Sequence, residues 1–161
     1  MYSVFIADDE HIVLEGMRKK ISMEGSAFSL IGEATDGEIA FSMIQELKPD
    51  ILITDIKMPF MDGLELSRLL KKIQPWLKII ILSGHDEFEY AKEAVNIGAF
   101  KYLTKPVNRN TVIDTVKSAF ERLGTLKNCI EYEKELENYK GLNARLAARV
   151  KDFKLPADFT R

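Results

Sequence analysis

The chain has almost none of the residues or segments that would cross-link it or anchor it in a membrane. Cys129 is its single cysteine, which excludes an intrachain disulfide and a zinc knuckle. No apolar run approaches the roughly 20 residues that span a bilayer, and no signal-peptide pattern opens the sequence. A net charge of −2 gives no support for nucleic-acid binding by the segment as a whole. These absences predict a soluble, cytoplasmic protein.

The residues that are present suit one globular domain with an extension. The chain has 161 residues, of which 46% are hydrophobic and 30% charged. Five short apolar runs are predicted strands: Ser3–Ala7, Leu30–Ala34, Ile51–Thr54, Lys78–Leu82 and Phe100–Leu103. A run with helical spacing follows each of them, and Asp86 to Glu89 resembles a capping box for the fourth helix. Successive βα units predict a doubly wound α/β fold with a parallel sheet covered on both faces.

The alternation stops near Asn108, and no further strand pattern follows before Gly141. We therefore predict a domain over residues 1–123 and an extended C-terminal helix that continues into residues 124–161. Apolar residues from Leu136 to Phe153 keep a helical spacing that favours a short coiled coil with a second copy. The alternative is a partly frayed helical linker, because the apolar register breaks across Glu131 to Glu135. The basic residues of this tail predict a solvated helix face rather than a phosphate-binding arm.

Polar residues stand directly after four of the predicted strands. They are Asp8, Asp9 and Glu10 after the first, Asp55 after the third, Ser83 and Gly84 after the fourth, and Thr104, Lys105 and Pro106 after the fifth. We adopt the flavodoxin-like strand order 2-1-3-4-5, known for doubly wound sheets. In it the first and third strands are neighbours at the switch point where ligands bind. These side chains are therefore expected to line one crevice.

At this edge Asp55 is compatible with three roles, namely a nucleophile, a metal ligand or a helix cap. Converging carboxylates raise one another's pKa, and a hard cation with oxygen ligands, such as Mg²⁺, removes that conflict. Ser83 adds a hydroxyl group and Lys105 an ammonium group. The set suits a phosphoryl group, with Asp55 as its acceptor.

Each group also has a structural explanation when it is taken alone. An acid pair after a strand is commonly a helix cap, a serine there is usually a turn residue, and a lysine-proline pair occurs in many loops. For Asp55 the alternative is an N-cap, although Pro59 and Asp62 are better placed to begin the next helix. The order of the groups along successive strands favours the phosphoryl site.

With this joint motif, residues 2–123 resemble the receiver domain of two-component response regulators. The resemblance implies that Asp55 accepts a phosphoryl group from a partner sensor histidine kinase. It implies that Asp9, Asp55 and the backbone carbonyl of Lys57 bind Mg²⁺ directly, with Asp8 acting mostly through water. It further implies a signalling module and not an enzyme, apart from its own labelling and slow dephosphorylation.

The resemblance also assigns roles around the acceptor. Ser83 and Lys105 are each expected to reach a phosphoryl oxygen, and Tyr102 matches the switch aromatic that turns inward when Ser83 moves. The Lys105–Pro106 bond is expected to be cis. Of the two histidines, His85 is expected at the rim of the site and His11 at the surface.

The stretch from Ser83 to Ala91, with Tyr102 to Val107, resembles YesN-like regulators more closely. In that subgroup a helical linker joins the receiver to an AraC-type helix-turn-helix domain, so DNA binding is expected only through an output domain absent from this chain. A homodimer is expected through the C-terminal helix, through the face of the fourth helix, fifth strand and fifth helix, or through both.

Two other classes of protein would use part of this site. A phosphohydrolase of the haloacid-dehalogenase type needs an Asp-x-Asp on the nucleophile strand, and Asp55 stands there without a second acid. A degenerate receiver that only binds partners would lack part of the acid set, which is complete in this sequence.

Overall fold

A computed structural model describes residues 2–23, 28–84, 87–106, 108 and 110–122, with the isolated positions 134, 137 and 141. The chain divides into two compact units, Met1–Leu123 and Gly124–Arg161. His85 and almost all of the predicted helical extension lie outside the described residues, so their placement stays a prediction. None of the described helices is long and apolar enough to cross a membrane.

The described part of Met1–Leu123 alternates strands with helices throughout. The strands are β1 (Tyr2–Ala7), β2 (Phe28–Ala34), β3 (Ile51–Asp55), β4 (Lys78–Ser83) and β5 (Lys101–Thr104). The helices are α1 (His11–Met23), α2 (Gly37–Leu47), α3 (Gly63–Ile73), α4 (Phe88–Ile97) and α5 (residues 110–122). All strand pairs are parallel, in the order β2-β1-β3-β4-β5. The predicted fold and strand order are confirmed.

The sheet has a hydrophobic core on each face, and β3 shows how one strand serves both. All five residues of β3 are buried. Ile51 and Ile53 pack into the core that α1 and α5 cover, whereas Leu52 packs into the core that α2 and α3 cover. Successive side chains of a strand point to opposite faces, so a continuous apolar run fits a strand with helices on both sides. This burial fixes the position at which β3 ends, and with it Asp55.

The helices α2 and α3 begin at side-chain caps that lie at the carboxyl edge of the sheet. Asp36 accepts a hydrogen bond from the Ile39 N–H, and Asp62 accepts one from the Glu65 N–H, each at 2.8 Å. Such caps satisfy backbone donors that the first helical turn leaves unpaired. The expectation that Asp62, rather than Asp55, begins α3 is confirmed.

The start of α4 differs from the sequence prediction. The helix begins at Phe88 with Glu87 as its N-cap and no side-chain cap bond, so the capping box does not mark its start. Of its apolar residues only Ala94 is buried, while Phe88 and Val95 are 78% and 76% exposed. Phe88 and Val95 are seven positions apart and share one face of the helix. Apolar spacing therefore predicted the helix, but this apolar face points to solvent.

Candidate functional site

Asp8 and Asp55 are both buried at the carboxyl ends of adjacent strands, with 1% and 7% of their surface exposed. A backbone amide holds one oxygen of each carboxylate. The Glu10 N–H donates to Asp8 Oδ1 at 2.9 Å, and the Ile56 N–H donates to Asp55 Oδ1 at 2.7 Å. The second oxygen of each carboxylate faces Lys105 across the crevice.

Lys105 joins the carboxylates of three residues. Its Nζ donates to Asp8 Oδ2 at 2.8 Å, to Asp55 Oδ2 at 3.3 Å and to Glu10 Oε1 at 3.4 Å. Its backbone N–H donates to the Ser83 carbonyl at 2.6 Å, which ties the residue after β5 to the end of β4. The Lys105–Pro106 peptide bond is cis, as expected. The ammonium group of Lys105 thus joins the ends of β1 and β3, and its backbone joins the end of β4 to that of β5.

Burial and unequal charge shift the pKa values of this group. Burial raises the pKa of Asp55, and the neighbouring charge of Asp8 adds to this, while Lys105 partly opposes both. Burial alone would lower the pKa of Lys105, but its hydrogen bond to Asp8 and the charges of Asp8 and Asp55 outweigh burial and raise it. The cluster itself holds four carboxylates, those of Asp8, Asp9, Glu10 and Asp55, and one ammonium group, so its formal negative charge is in excess.

The donor set fits a hard divalent cation. Oxygen atoms of Asp8, Asp9, Glu10 and Asp55 lie within 4.8 Å of one another, and Asp9 and Glu10 are exposed to solvent. Carboxylate oxygens together with open positions for water are what Mg²⁺ prefers. A bound cation would also offset the excess negative charge. The sequence placed Glu10 at this strand end but assigned it no role, and its carboxylate belongs to the cluster.

The remaining predicted site residues lie around this cluster. Ser83 is fully buried at the end of β4, and Tyr102 is half-buried on β5, opposite Ile81 in the strand register. Lys57 is exposed, two positions after Asp55. His11 is exposed at the start of α1, as expected. The roles assigned to Ser83, Tyr102 and the Lys57 carbonyl stay predictions.

Phe60, in the loop between β3 and α3, has a backbone conformation that is unfavourable for its side chain. Its φ is 69°, and its side chain is 82% exposed. A bulky residue in the left-handed region costs on the order of 1–3 kcal/mol, and an exposed ring recovers little of this by burial. The loop next to Asp55 therefore contains strain.

Phe60→Gly is expected to stabilise the protein, because glycine adopts this conformation without a steric penalty. We expect a gain of about 1 kcal/mol, or roughly 2–4 °C in Tm for a chain of this size, measured by urea and thermal unfolding. Phe60→Ala is the matched control: it removes the ring but keeps a Cβ, so it should give little of this gain. A Phe60→Gly protein less stable than wild type would contradict the interpretation.

The sequence of residues 4–117 matches the family model described as the response regulator receiver domain. The chain belongs to this family. Receiver domains are signalling modules that interact with histidine kinases, and they generally bind Mg²⁺ at an acidic pocket of the kind that Asp8, Asp9 and Asp55 form here.

Relatives of this receiver domain include transcriptional regulators. It is 45% identical over 123 residues to the uncharacterized transcriptional regulatory protein YesN of Bacillus subtilis, a match that covers 76% of this chain and 33% of YesN. The receiver domain of AraT, a response regulator from Geobacillus stearothermophilus, superposes with a TM-score of 0.72 at 35% identity, covering 78% of this chain and 98% of that one.

A second similar structure is a chain of a CheX–CheY complex with BeF₃ and Mg²⁺ from Borrelia burgdorferi. It superposes with a TM-score of 0.69 at 28% identity and covers 74% of this chain and 89% of the matched chain. The chain spans between a third and a half of the length of the curated relatives that it matches first. The family, the fold and the presence of an acidic pocket are thus established together.

Proposed function

We propose that this receiver domain accepts a phosphoryl group on Asp55 from the phosphorylated histidine of a sensor kinase. The observation that carries the proposal is that the two oxygens of the Asp55 carboxylate have different partners. Oδ1 is held by the Ile56 N–H at 2.7 Å, while Oδ2 faces the crevice, 3.3 Å from Lys105 Nζ. One oxygen is oriented by the backbone, and the other is available to attack.

In the transfer step an oxygen of Asp55 attacks phosphorus and forms a new O–P bond. The P–N bond to the kinase histidine breaks, and its electron pair stays on the imidazole nitrogen. Lys105 Nζ is proposed to donate to one oxygen of the transferred group, and the Ser83 hydroxyl to another. Lys105 would exchange a carboxylate partner for a phosphoryl oxygen at little cost, because both are anionic acceptors.

Asp8, Asp9, Asp55 and the backbone carbonyl of Lys57 are proposed to hold Mg²⁺. When bound, the cation would neutralise charge on the carboxylates and on the transferred group. The four clustered carboxylates around a single ammonium group leave negative charge in excess, which supports this assignment. The similar CheX–CheY complex, which contains BeF₃ and Mg²⁺, supports it as well.

Phosphorylation is proposed to change the face that α4, β5 and α5 form. It places on Asp55 a phosphoryl group that carries about −1.5 to −2 charges. Ser83 and Lys105 are drawn toward this group, and Tyr102 then turns inward. The exposed apolar side chains of Phe88 and Val95 on α4 support a role for this face in forming a homodimer. The similarity to YesN supports transcriptional output through an AraC-type domain joined by a helical linker.

The proposal is tested by titrating the 161-residue chain with beryllofluoride in Mg²⁺ and following its oligomeric state by light scattering. Wild type is expected to shift toward a dimer, and Asp55→Asn is expected not to respond. If both proteins respond alike, Asp55 is not the acceptor. A chain truncated after Leu123 distinguishes dimer formation through the C-terminal extension from dimer formation through the face of α4, β5 and α5. A response that survives truncation must come from residues 1–123.

A further inference from the structure

Gly63, the buried first residue of α3, lies directly against the end of β3. Its backbone N–H donates to the Ile56 carbonyl oxygen at 2.7 Å. A Cβ at position 63 would overlap the Asp55 carbonyl oxygen and lie 2.8 Å from its carbonyl carbon. These are backbone atoms, which cannot rotate aside as the end of a flexible side chain can. Glycine is therefore required for α3 to approach β3 this closely.

The backbone that Gly63 contacts is the same backbone that orients the acceptor carboxylate. The Ile56 N–H holds Asp55 Oδ1 at 2.7 Å, and the Thr54 hydroxyl donates to the Asp55 carbonyl oxygen at 2.9 Å. A methyl group at position 63 would displace that carbonyl and turn the peptide plane that carries the Ile56 N–H. Asp55 Oδ1 would lose its alignment, and Oδ2 would move relative to Lys105.

Gly37, the first residue of α2, contacts the same loop from the other side. A Cβ at position 37 would overlap the Met61 carbonyl oxygen and lie 2.6 Å from Met61 Cβ. The Gly37 N–H donates to the Pro59 carbonyl oxygen at 3.4 Å. Both helices are capped at this edge by Asp36 and Asp62, so neither helix can retreat from the loop without disturbing its own N-terminus.

We propose that Gly63 is a positioning residue for Asp55 and that Gly37 supports it by fixing the loop from the side of α2. Neither glycine contacts the transferred group; they act by allowing two helix N-termini to close on residues 56–62. The inference rests on the proposed function, since it concerns what holds Asp55 for transfer. A misplacement of about 1 Å in a reacting group can cost about 100-fold in rate.

The test compares Gly63→Ala and Gly37→Ala with Gly32→Ala in the 161-residue chain. Gly32 is the matched control, because a Cβ there would meet the Phe5 ring at 2.7 Å and the Leu47 side chain at 3.1 Å, away from the loop. Three quantities are measured: Tm, the initial rate of labelling by acetyl phosphate in Mg²⁺, and the proton chemical shift of the Ile56 amide in metal-free protein. The amide shift reports directly on the hydrogen bond to Asp55 Oδ1.

We expect all three variants to lose thermal stability. Labelling should fall about 100-fold in Gly63→Ala, less in Gly37→Ala, and less than twofold in Gly32→Ala. The Ile56 amide shift should move in the first two variants and stay in place in the third. If Gly63→Ala does not unfold cooperatively, the inference is tested by comparing Gly37→Ala with Gly32→Ala.

Two outcomes would overturn the inference alone: a variant at position 63 or 37 that labels as fast as wild type with an unmoved Ile56 amide, or a Gly32→Ala protein that loses labelling equally. The second outcome would mean that any loss of stability slows transfer. A wild-type protein that takes no label, or an Asp55→Asn protein that still does, would overturn the proposed function instead. The two failures are therefore distinguishable.

Discussion

Asp55→Asn is expected to abolish labelling by acetyl phosphate while making the metal-free protein more resistant to heat. The loss of labelling follows because an amide oxygen cannot form the acyl phosphate. The gain in stability follows because Asp55 is buried next to Asp8, which raises its pKa despite Lys105. Lys105 keeps its closer partner, Asp8 Oδ2 at 2.8 Å, in the variant. We expect a rise of roughly 2–4 °C in Tm, or about 1 kcal/mol.

The pH dependence gives this prediction a definite sign. An acid whose pKa is raised by folding is ionised at a cost in the folded state, so wild-type stability should fall as the pH rises through the titration range of Asp55. The gain from Asp55→Asn should therefore be present at neutral pH and disappear in acid. Thermal unfolding from pH 4 to 8 without Mg²⁺ measures it.

Asp62→Asn is the matched control for this substitution. It makes the same acid-to-amide change in the same loop, and asparagine can cap α3 as aspartate does. Labelling should persist in Asp62→Asn. If Asp55→Asn is still labelled, another group accepts the phosphoryl group. If Asp55→Asn is less stable than wild type, the charge of Asp55 stabilises the fold.

The strand ends could be predicted from the sequence because burial on both faces leaves a continuous apolar run. In β3 that run stops at Asp55, and the structure confirms that the strand ends there. Lys105 could likewise be placed at the same edge from strand order alone. Its partners could not, because a distance of 2.8 Å to Asp8 depends on side-chain geometry and not on register.

Other features of the site depend on contacts that leave no periodic signal. Gly63 looks like an ordinary turn glycine in the sequence, and only the packing of α3 against the Asp55 carbonyl shows why a side chain is excluded. Glu10 has no apolar context that would indicate its contact with Lys105. For α4 the spacing of Phe88 and Val95 is helical, but spacing alone does not reveal which of its faces is buried.

Lys105→Met is expected to move two measurements in opposite directions: Mg²⁺ should bind more tightly, and phosphoryl transfer should become slower. Lys105 Nζ contacts oxygens of Asp8, Asp55 and Glu10, so it competes with a cation for the same charge. Without it, those oxygens are free to bind Mg²⁺. Transfer should slow by about 10²–10³-fold, the usual cost of removing one donor aimed at developing charge.

Calorimetric titration with Mg²⁺ measures the affinity, and acetyl phosphate labelling at saturating Mg²⁺ measures the rate. Methionine keeps an unbranched chain of similar length, so the change is mainly one of charge. Lys101→Met is the matched control, because Lys101 is exposed at the start of β5, the strand that Lys105 follows, and should alter neither measurement. If Mg²⁺ affinity falls together with the rate, Lys105 supports the cation site rather than competing with it.

The stability of the metal-free protein should respond in opposite ways to Lys105→Met and Asp55→Asn. Lys105→Met leaves the buried carboxylate of Asp8 without its cation, so metal-free protein should lose about 1–3 kcal/mol. Adding Mg²⁺ should restore more stability to this variant than to wild type, because tighter binding to the folded state stabilises it more. Asp55→Asn and Lys105→Met remove charges whose atoms are 3.3 Å apart, yet they should shift Tm in opposite directions. That opposition is what an acidic pocket with negative charge in excess requires, and a single thermal series with and without Mg²⁺ tests it.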